Sequence, residues 1–408
     1  MTALLQTSST SFWWERNDLH YINNRLFFSG CDVGAIAVGA KEPLYLYSAE
    51  RIKANLARLL DALSETGCRH RVYYAMKANR YLPLLALLSR SRQCGVDVCS
   101  PYELDRALAC GFAAKDISFT GTAVSNNDLN RLLAQSAPTI NCDTISMIRR
   151  IGQRAPGREI GVRVNPAIGA SYGNSERLSY AGQKTTKFGI YAQQWEQALA
   201  AASAHDLKIT TLHFHAGCGY LNEQLGQWES ALCAALALLD DLPDIHTVNI
   251  GGGLGLPHRS SDAPLDLERW SAILRRHFEG RDLTIAVEPG DYLVKDAGML
   301  VLSVTDVEQK ADTLFAFVEG GFNLHPEPVF YDLPCEPAAC LLHNDEVSNW
   351  RDVTIAGNIN EAHDIWAENV SMPLPREGDY IAFLNAGGYG AAMSSNHCMR
   401  GSYKELLI

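Results

Sequence analysis

Between residues 71 and 288 the chain alternates short runs of β-branched and aromatic residues with longer stretches of helical period. The short runs fall at 71–76, 95–99, 117–120, 138–142, 160–164, 210–215, 247–250 and 284–288. In the first of them, Val72, Tyr73 and Tyr74 favour a pleated, half-buried surface. Each of the first seven runs is followed by a segment long enough for a helix, such as Tyr102–Cys110 or Asn222–Leu239. A further helix is predicted from its N-cap Ser48 to about Leu63, with an amphipathic face over Arg51–Leu60. Eight strand-then-helix units within roughly 240 residues predict an α/β fold, a (β/α)8 barrel. An open doubly wound sheet competes, but it usually has fewer strands.

After Pro289 the pattern changes. Met299–Val307, Leu314–Glu319, Asp352–Ile355 and Asp379–Leu384 read as strands with turn residues between them and no long helices. The strand-like pieces Leu26–Phe28 and Leu44–Tyr47 lack helical partners too. The expected organisation is a barrel over residues 45–288 and a mostly β domain built from residues 1–44 together with 289–408.

Composition narrows the classes. The chain is 47% hydrophobic and 20% charged, as in an ordinary globular protein. Its net charge of −11 argues against a nucleic-acid or anionic-membrane partner. No apolar run reaches the ~18–20 residues of a membrane span, and Met1–Ser11 lacks the basic-then-apolar pattern of a signal peptide. Eleven scattered cysteines without a CxxC pair predict reduced thiols, a cytoplasmic protein and no zinc site.

Active sites of such barrels lie at the C-terminal ends of the strands. Lys77 and Asn79 end the first strand and Arg163–Pro166 the fifth. His213–Cys218 end the sixth, Asn249–Gly255 the seventh and Glu288–Asp291 the eighth. Gly251, Gly252 and Gly253 remove side chains and permit positive φ, so their N–H groups can converge on an anion; a tight loop explains such a run equally well. His213 or His215 alone reads as a satisfied core histidine, and with no third ligand no metal is expected. Together, a lysine amine, an anion cradle, a histidine ring and a buried glutamate describe a pyridoxal phosphate site. Lys77 forms the Schiff base, and Glu288 faces the pyridine nitrogen so that the ring can take up carbanion charge.

These residues carry a resemblance over nearly the whole chain. Tyr74–Asn79, Arg163–Pro166, Thr186–Gly189, His213–Gly217, Gly251–Gly253 and Glu288–Gly290 are similar, in order, to the motifs of barrel-type (fold III, alanine-racemase-like) pyridoxal-phosphate decarboxylases. The nearest branch resembles diaminopimelate decarboxylase. The resemblance implies that His215 stacks on the cofactor ring. It implies that Gly217, Cys218 and Gly251–Gly253 bind the phosphate, with Tyr389 nearby. It also implies a head-to-tail homodimer in which the second subunit supplies the loop Gly357–Asp364.

Several positions depart from the family pattern. Asn360 stands where a cysteine helps return a proton, and asparagine cannot act as that acid. Glu361 keeps a carboxylate that grips the distal amine, and Cys218 replaces a serine. Asp291 and Glu327 replace two arginines that contact the distal carboxylate, while Tyr331 is retained. Two acids in place of two cations repel a carboxylate. The expected function is therefore decarboxylation of an α-amino acid other than standard meso-diaminopimelate, with a distal end that is cationic or part of a larger molecule. A carboxylated polyamine fits, as does an aminocarboxypropyl group on a modified peptide or nucleotide, as in microcin-C-type antibiotic biosynthesis. Open alternatives are diaminopimelate decarboxylase in lysine biosynthesis, a racemase-like enzyme, an inactive regulatory homologue and a decarboxylase module of a longer protein.

Overall fold

A computed structural model describes residues 12–135, 138–182, 184–342 and 349–408. Eight parallel strands form a closed barrel: β1 (Arg69–Ala75), β2 (Gly95–Val98), β3 (Ile117–Phe119), β4 (Thr139–Cys142), β5 (Glu159–Asn165), β6 (Lys208–His213), β7 (Thr247–Asn249) and β8 (Thr284–Val287). Each pairs with the next in chain order, and β8 closes on β1 through Thr284–Val287 against Arg69–Val72. Helices cover the outside, so strands such as β2 are buried throughout and read as nearly continuous apolar runs. The predicted strands all appear, within a few residues of their expected bounds.

The helix Ala49–Ser64 forms where its pattern predicts. Ser48 caps it by accepting from the Arg51 N–H, and Ile52, Leu56, Leu59 and Leu63 make its buried face. Burying each such leucine or isoleucine is worth about 1.5–3 kcal/mol. This helix precedes β1 and fills the place beside the barrel that the segment after β8 leaves: there the chain makes only the short helix Asp291–Val294.

The second domain is a mostly β sheet in the order 337–340, 380–383, 298–310, 313–318, 350–356, 365–373. Leu44–Tyr47 pairs with Gly298–Val301 on one side and Lys404–Leu407 on the other. Residues 45–47, which the hydrophobic pattern assigned to the start of the barrel, thus lie in this sheet. Their side chains are fully buried, with Tyr45 and Tyr47 packed into one hydrophobic cluster of the domain and Leu46 into another. Several elements lie beyond the sequence expectation. Pro337–Cys340 and Ile365–Pro373 are strands, and Val33–Ala40 is a helix capped by Asp32. The Asp32 cap was the available signal for the helix, but a run of Val, Gly and Ala carries too little amphipathic contrast to announce one.

Two hydrogen bonds tie the sheet domain to the end of β1. Asn79 Nδ2 donates to the Gly387 carbonyl at 2.9 Å, and the Tyr389 N–H donates to the Ala78 carbonyl at 2.8 Å. The loop 387–389 therefore sits over the mouth of the barrel. Among the described residues no helix is long and apolar enough to cross a membrane.

Candidate active site

A cavity of about 300 Å³ opens at the C-terminal ends of the strands. Lys77, Cys99, Thr120, Arg163, Tyr180, His215, Cys218, Gly252, Gly253, Glu288, Asp291 and Tyr389 are all on its wall. The lysine, glutamate and histidine expected from sequence therefore meet in one place with Gly252 and Gly253, while Gly217 and Gly251 are not on this wall.

Lys77 sits in a single tight turn, Met76–Ala78, directly after β1. The turn is held from both sides: Ala75 N–H donates to the Pro289 carbonyl at 3.0 Å and the Tyr74 hydroxyl to the Asn79 carbonyl at 2.8 Å. The side chain is 39% exposed, but to the cavity, inside the ring of strand ends. Its Nζ lies 4.0 Å from Oδ2 of Asp97, which is fully buried on β2. Cys99, Asp97, Tyr180 and Glu288 hold the Lys77 pKa above the ordinary lysine value, against the opposing effect of burial. Cys99 acts only once its own thiol ionises, and burial pushes that up to about 12. Near neutrality the carboxylates are the relevant partners.

Glu288 follows β8 and closes the floor. Its Oε2 is 2.9 Å from His213 Nε2, and its Oε1 accepts from Asn249 Nδ2 at 2.7 Å and Ser118 Oγ at 3.1 Å. Asn141 supports this layer by donating to Ser118 Oγ at 3.0 Å and Thr120 Oγ1 at 2.9 Å. Burial opposes ionisation of Glu288, but His213, Lys77 and the Asn249 bond outweigh it and hold the carboxyl below its ordinary value. It is an anion aimed into the cavity across the whole working pH range.

His215 meets the edge of Tyr180 with ring centroids 4.6 Å apart, and its Nε2 is 3.7 Å from Cys218 Sγ. Burial first, and Lys77 second, hold its pKa well below the ordinary histidine value, so the ring is neutral. Arg163 binds Asp143 Oδ1 at 3.1 Å and lies over the Phe188 ring at 4.7 Å.

The glycine run has a packing reason of its own. A Cβ on Gly253 would stand 1.9 Å from the Gly217 carbonyl oxygen, and one on Gly252 2.1 Å from that of Glu288. Gly253 also has φ +93°. Only glycine lets these strand ends approach, whether or not an anion binds.

Other selected residues lie elsewhere. Glu327 is buried and bonds Lys295, away from the cavity wall; Tyr331 also stands off that wall. Asn360 and Glu361 are exposed on the loop 357–364, with Glu361 3.5 Å from His397. Asp97, Tyr180 and Lys295 were not singled out from sequence. A charged residue inside the apolar run Gly95–Val98 was the signal for Asp97; Tyr180 and Lys295 offered none before folding.

Three buried histidines share one electrostatic consequence. Burial lowers the pKa of His215, His258 and His325, the last to about 3. The unfolded chain binds protons below ~6.5 that the folded one refuses, so each histidine removes up to ~1.4 kcal/mol of stability per pH unit below that point. Above it the effect vanishes. The melting temperature of the cofactor-free His325→Gln variant should fall less between pH 6.5 and 5 than that of the parent; equal falls would contradict the neutral assignment.

The fold is that of a (β/α)8 barrel with a mostly β second domain, and the comparisons give it a family. The pyridoxal binding domain of the pyridoxal-dependent decarboxylases matches residues 49–295, and the chain belongs to that family. It is 32% identical to the diaminopimelate decarboxylase of Methanothermobacter thermautotrophicus over 400 residues, covering 94% of this chain and 90% of that one. It is also 32% identical to the Pseudomonas fluorescens enzyme of the same name, covering 95% and 93%. Among solved structures, diaminopimelate decarboxylase from M. jannaschii in co-complex with L-lysine superposes with a TM-score of 0.86 at 25% identity, covering 96% and 93%. The Helicobacter pylori enzyme complexed with L-lysine gives 0.82 at 25%, covering 92% and 93%. The chain is thus a pyridoxal-phosphate-dependent amino acid decarboxylase of the diaminopimelate decarboxylase branch.

The cavity fits that cofactor. It offers an amine reachable from the opening, a fixed anion on the floor, a neutral flat ring, and a side-chain-free edge at Gly252 and Gly253. Bound there, pyridoxal phosphate supplies the electron sink for the charge left when carbon dioxide departs. Among the described residues no group of three or more His, Cys, Asp or Glu side chains gathers as a metal site requires.

Proposed function

We propose that Lys77 would hold the cofactor and that the protein takes an α-amino acid whose carboxyl leaves as carbon dioxide, the cofactor supplying the electron sink. The observation that carries this is the meeting of the Lys77 amine and the Glu288 anion in one cavity. Glu288 would face the pyridine nitrogen and keep it protonated, the neutral His215 ring would face the cofactor, and Gly217, Cys218 and Gly251–Gly253 would take its phosphate, with Tyr389 beside it. The free Lys77 amine would serve as a proton carrier of the site.

Meso-diaminopimelate is the substrate that the relatives' names favour. Two solved relatives hold L-lysine, which is what diaminopimelate becomes on losing one carbon dioxide. The test is direct: the purified holoprotein is given meso-diaminopimelate, and carbon dioxide and L-lysine are measured. Turnover at roughly 1 s⁻¹ or faster, as for typical enzymes, supports this substrate; no turnover removes it.

A second reading rests on one observation, the Asp291 carboxylate in the cavity wall. It favours a far end that is not a bare carboxylate, such as a carboxylated polyamine or an aminocarboxypropyl group of a larger natural product. The assembly we infer is a head-to-tail homodimer in the cytoplasm. The exposed Asn360 and Glu361, remote from their own cavity wall, are then free to complete a partner's site. All eleven cysteines are unpaired, which suits a reducing compartment.

A further inference from the structure

Beside the cavity lies a buried three-charge arrangement of which the proposed chemistry uses only Asp291. Asp291 opens the short helix after β8, Lys295 follows one turn later, and Glu327 comes from the other domain, at the start of the helix Glu327–Tyr331. Lys295 Nζ is 2.8 Å from Glu327 Oε1 and 3.2 Å from Asp291 Oδ2. Lys295 and Glu327 are each 3% exposed. Asp291 alone of the three forms part of the cavity wall.

An ammonium without water costs several kcal/mol unless well paired. Lys295 meets that condition with two acids, so it stays charged and fixed. One cation between two carboxylates leaves acceptor capacity over, and the structure shows where: Asp291 Oδ1 is buried beside Gly388 and has no donor. Glu327 bonds Lys295 at 2.8 Å and stands off the cavity wall, so it is the far anchor of the lysine. Asp291 is left as the charge nearest the cavity at that end. A donor-bearing ligand end in the cavity would be drawn to this carboxylate, whose side chain is partly open to it; an incoming anion would meet like charge with no free cation within this cluster.

We propose that Lys295, clamped by Glu327, is a positioning residue that fixes the Asp291 carboxylate in the cavity wall, where it selects substrates whose far end carries hydrogen-bond donors over those that end in a carboxylate. Ammonium, guanidinium and amide ends belong to the favoured class. The far carbon of diaminopimelate carries both an ammonium and a carboxylate and would be taken through the former. The inference rests on the reading that the substrate's α-amine is directed to Lys77.

The test uses the holoprotein and three six-carbon α-amino acids: L-lysine, L-norleucine and L-2-aminoadipate. Calorimetry gives their binding constants, and carbon dioxide release gives kcat and KM separately. The parent protein should bind L-lysine at least about tenfold more tightly than L-2-aminoadipate. Asp291→Asn should bring the two within about threefold, mainly by weakening L-lysine. Lys295→Met should do the same through KM rather than kcat, and Lys295→Arg should restore the preference. Should Lys295→Met fail to fold, Glu327→Gln replaces it: Lys295 then neutralises Asp291 more fully, and the preference shrinks. A parent protein with no preference, or an Asp291→Asn variant that keeps it, overturns the proposal. Absence of carbon dioxide release from these three and from meso-diaminopimelate as well, with the binding preference intact, would instead overturn the decarboxylase reading alone.

Discussion

Lys77→Ala should abolish turnover, lowering carbon dioxide release at least ~10³-fold, the scale of losing a positioned acid–base group together with covalent anchoring. Among the described residues on the cavity wall, Lys77 is the sole primary amine. The nearby Arg163 is engaged by Asp143 and does not form imines. The fold should survive, because Lys77 makes no closer polar contact than the 4.0 Å pair with Asp97. Burial already raises the Asp97 pKa, so that carboxyl can take a proton when its cation is removed. Lys77→Arg is the informative control. It keeps a cation beside Asp97 but cannot hold the cofactor covalently, so it should melt like the parent and remain inactive. The near-visible absorbance of cofactor-loaded protein should disappear in both variants. Retention of a tenth of the parent activity by Lys77→Ala would contradict the assignment.

Glu288→Gln carries the second large effect. The amide keeps the shape and can still accept from Asn249 and Ser118, but it removes the anion from the floor. Losing one preorganised electrostatic partner of developing charge costs about 10²–10³ in kcat. KM should change little, since the carboxylate acts on the cofactor ring rather than on the substrate. The same variant has a signature in stability. Glu288 has a folded pKa below its unfolded one, so it adds stability above ~4.5 that is lost as pH falls through the depressed folded value. Acid unfolding of the parent should therefore include a component that Glu288→Gln lacks. A kcat within threefold of the parent, with normal cofactor binding, would remove Glu288 from the reaction.

The division between what the sequence disclosed and what it hid follows distance along the chain. Barrel strands and the residues that end them are local patterns, so Lys77, His215, Gly253 and Glu288 could be selected before any contact was known. Asp291 and Glu327 could be noticed as charges, but not their relation. They were expected to act together on a substrate, yet folding inserts Lys295 between them and turns Glu327 inward. Asn360 and Glu361 stand apart for a similar reason: their loop belongs to the other domain and faces solvent. The helix Val33–Ala40 escaped because small residues give little periodic contrast, although Asp32 marked its start.

The pairing of Leu44–Tyr47 with Lys404–Leu407 bears on how this molecule is made. The two strands are separated by almost the entire polypeptide, and the earlier one already carries fully buried tyrosines. During synthesis the ribosome delivers Tyr45 and Tyr47 long before their final neighbour exists. The barrel's successive strand–helix units can condense as they emerge, but this pairing must wait until Lys404–Leu407 has been made. Its closure is a long-range contact, slow by loop entropy and exposed to mispairing in the interval.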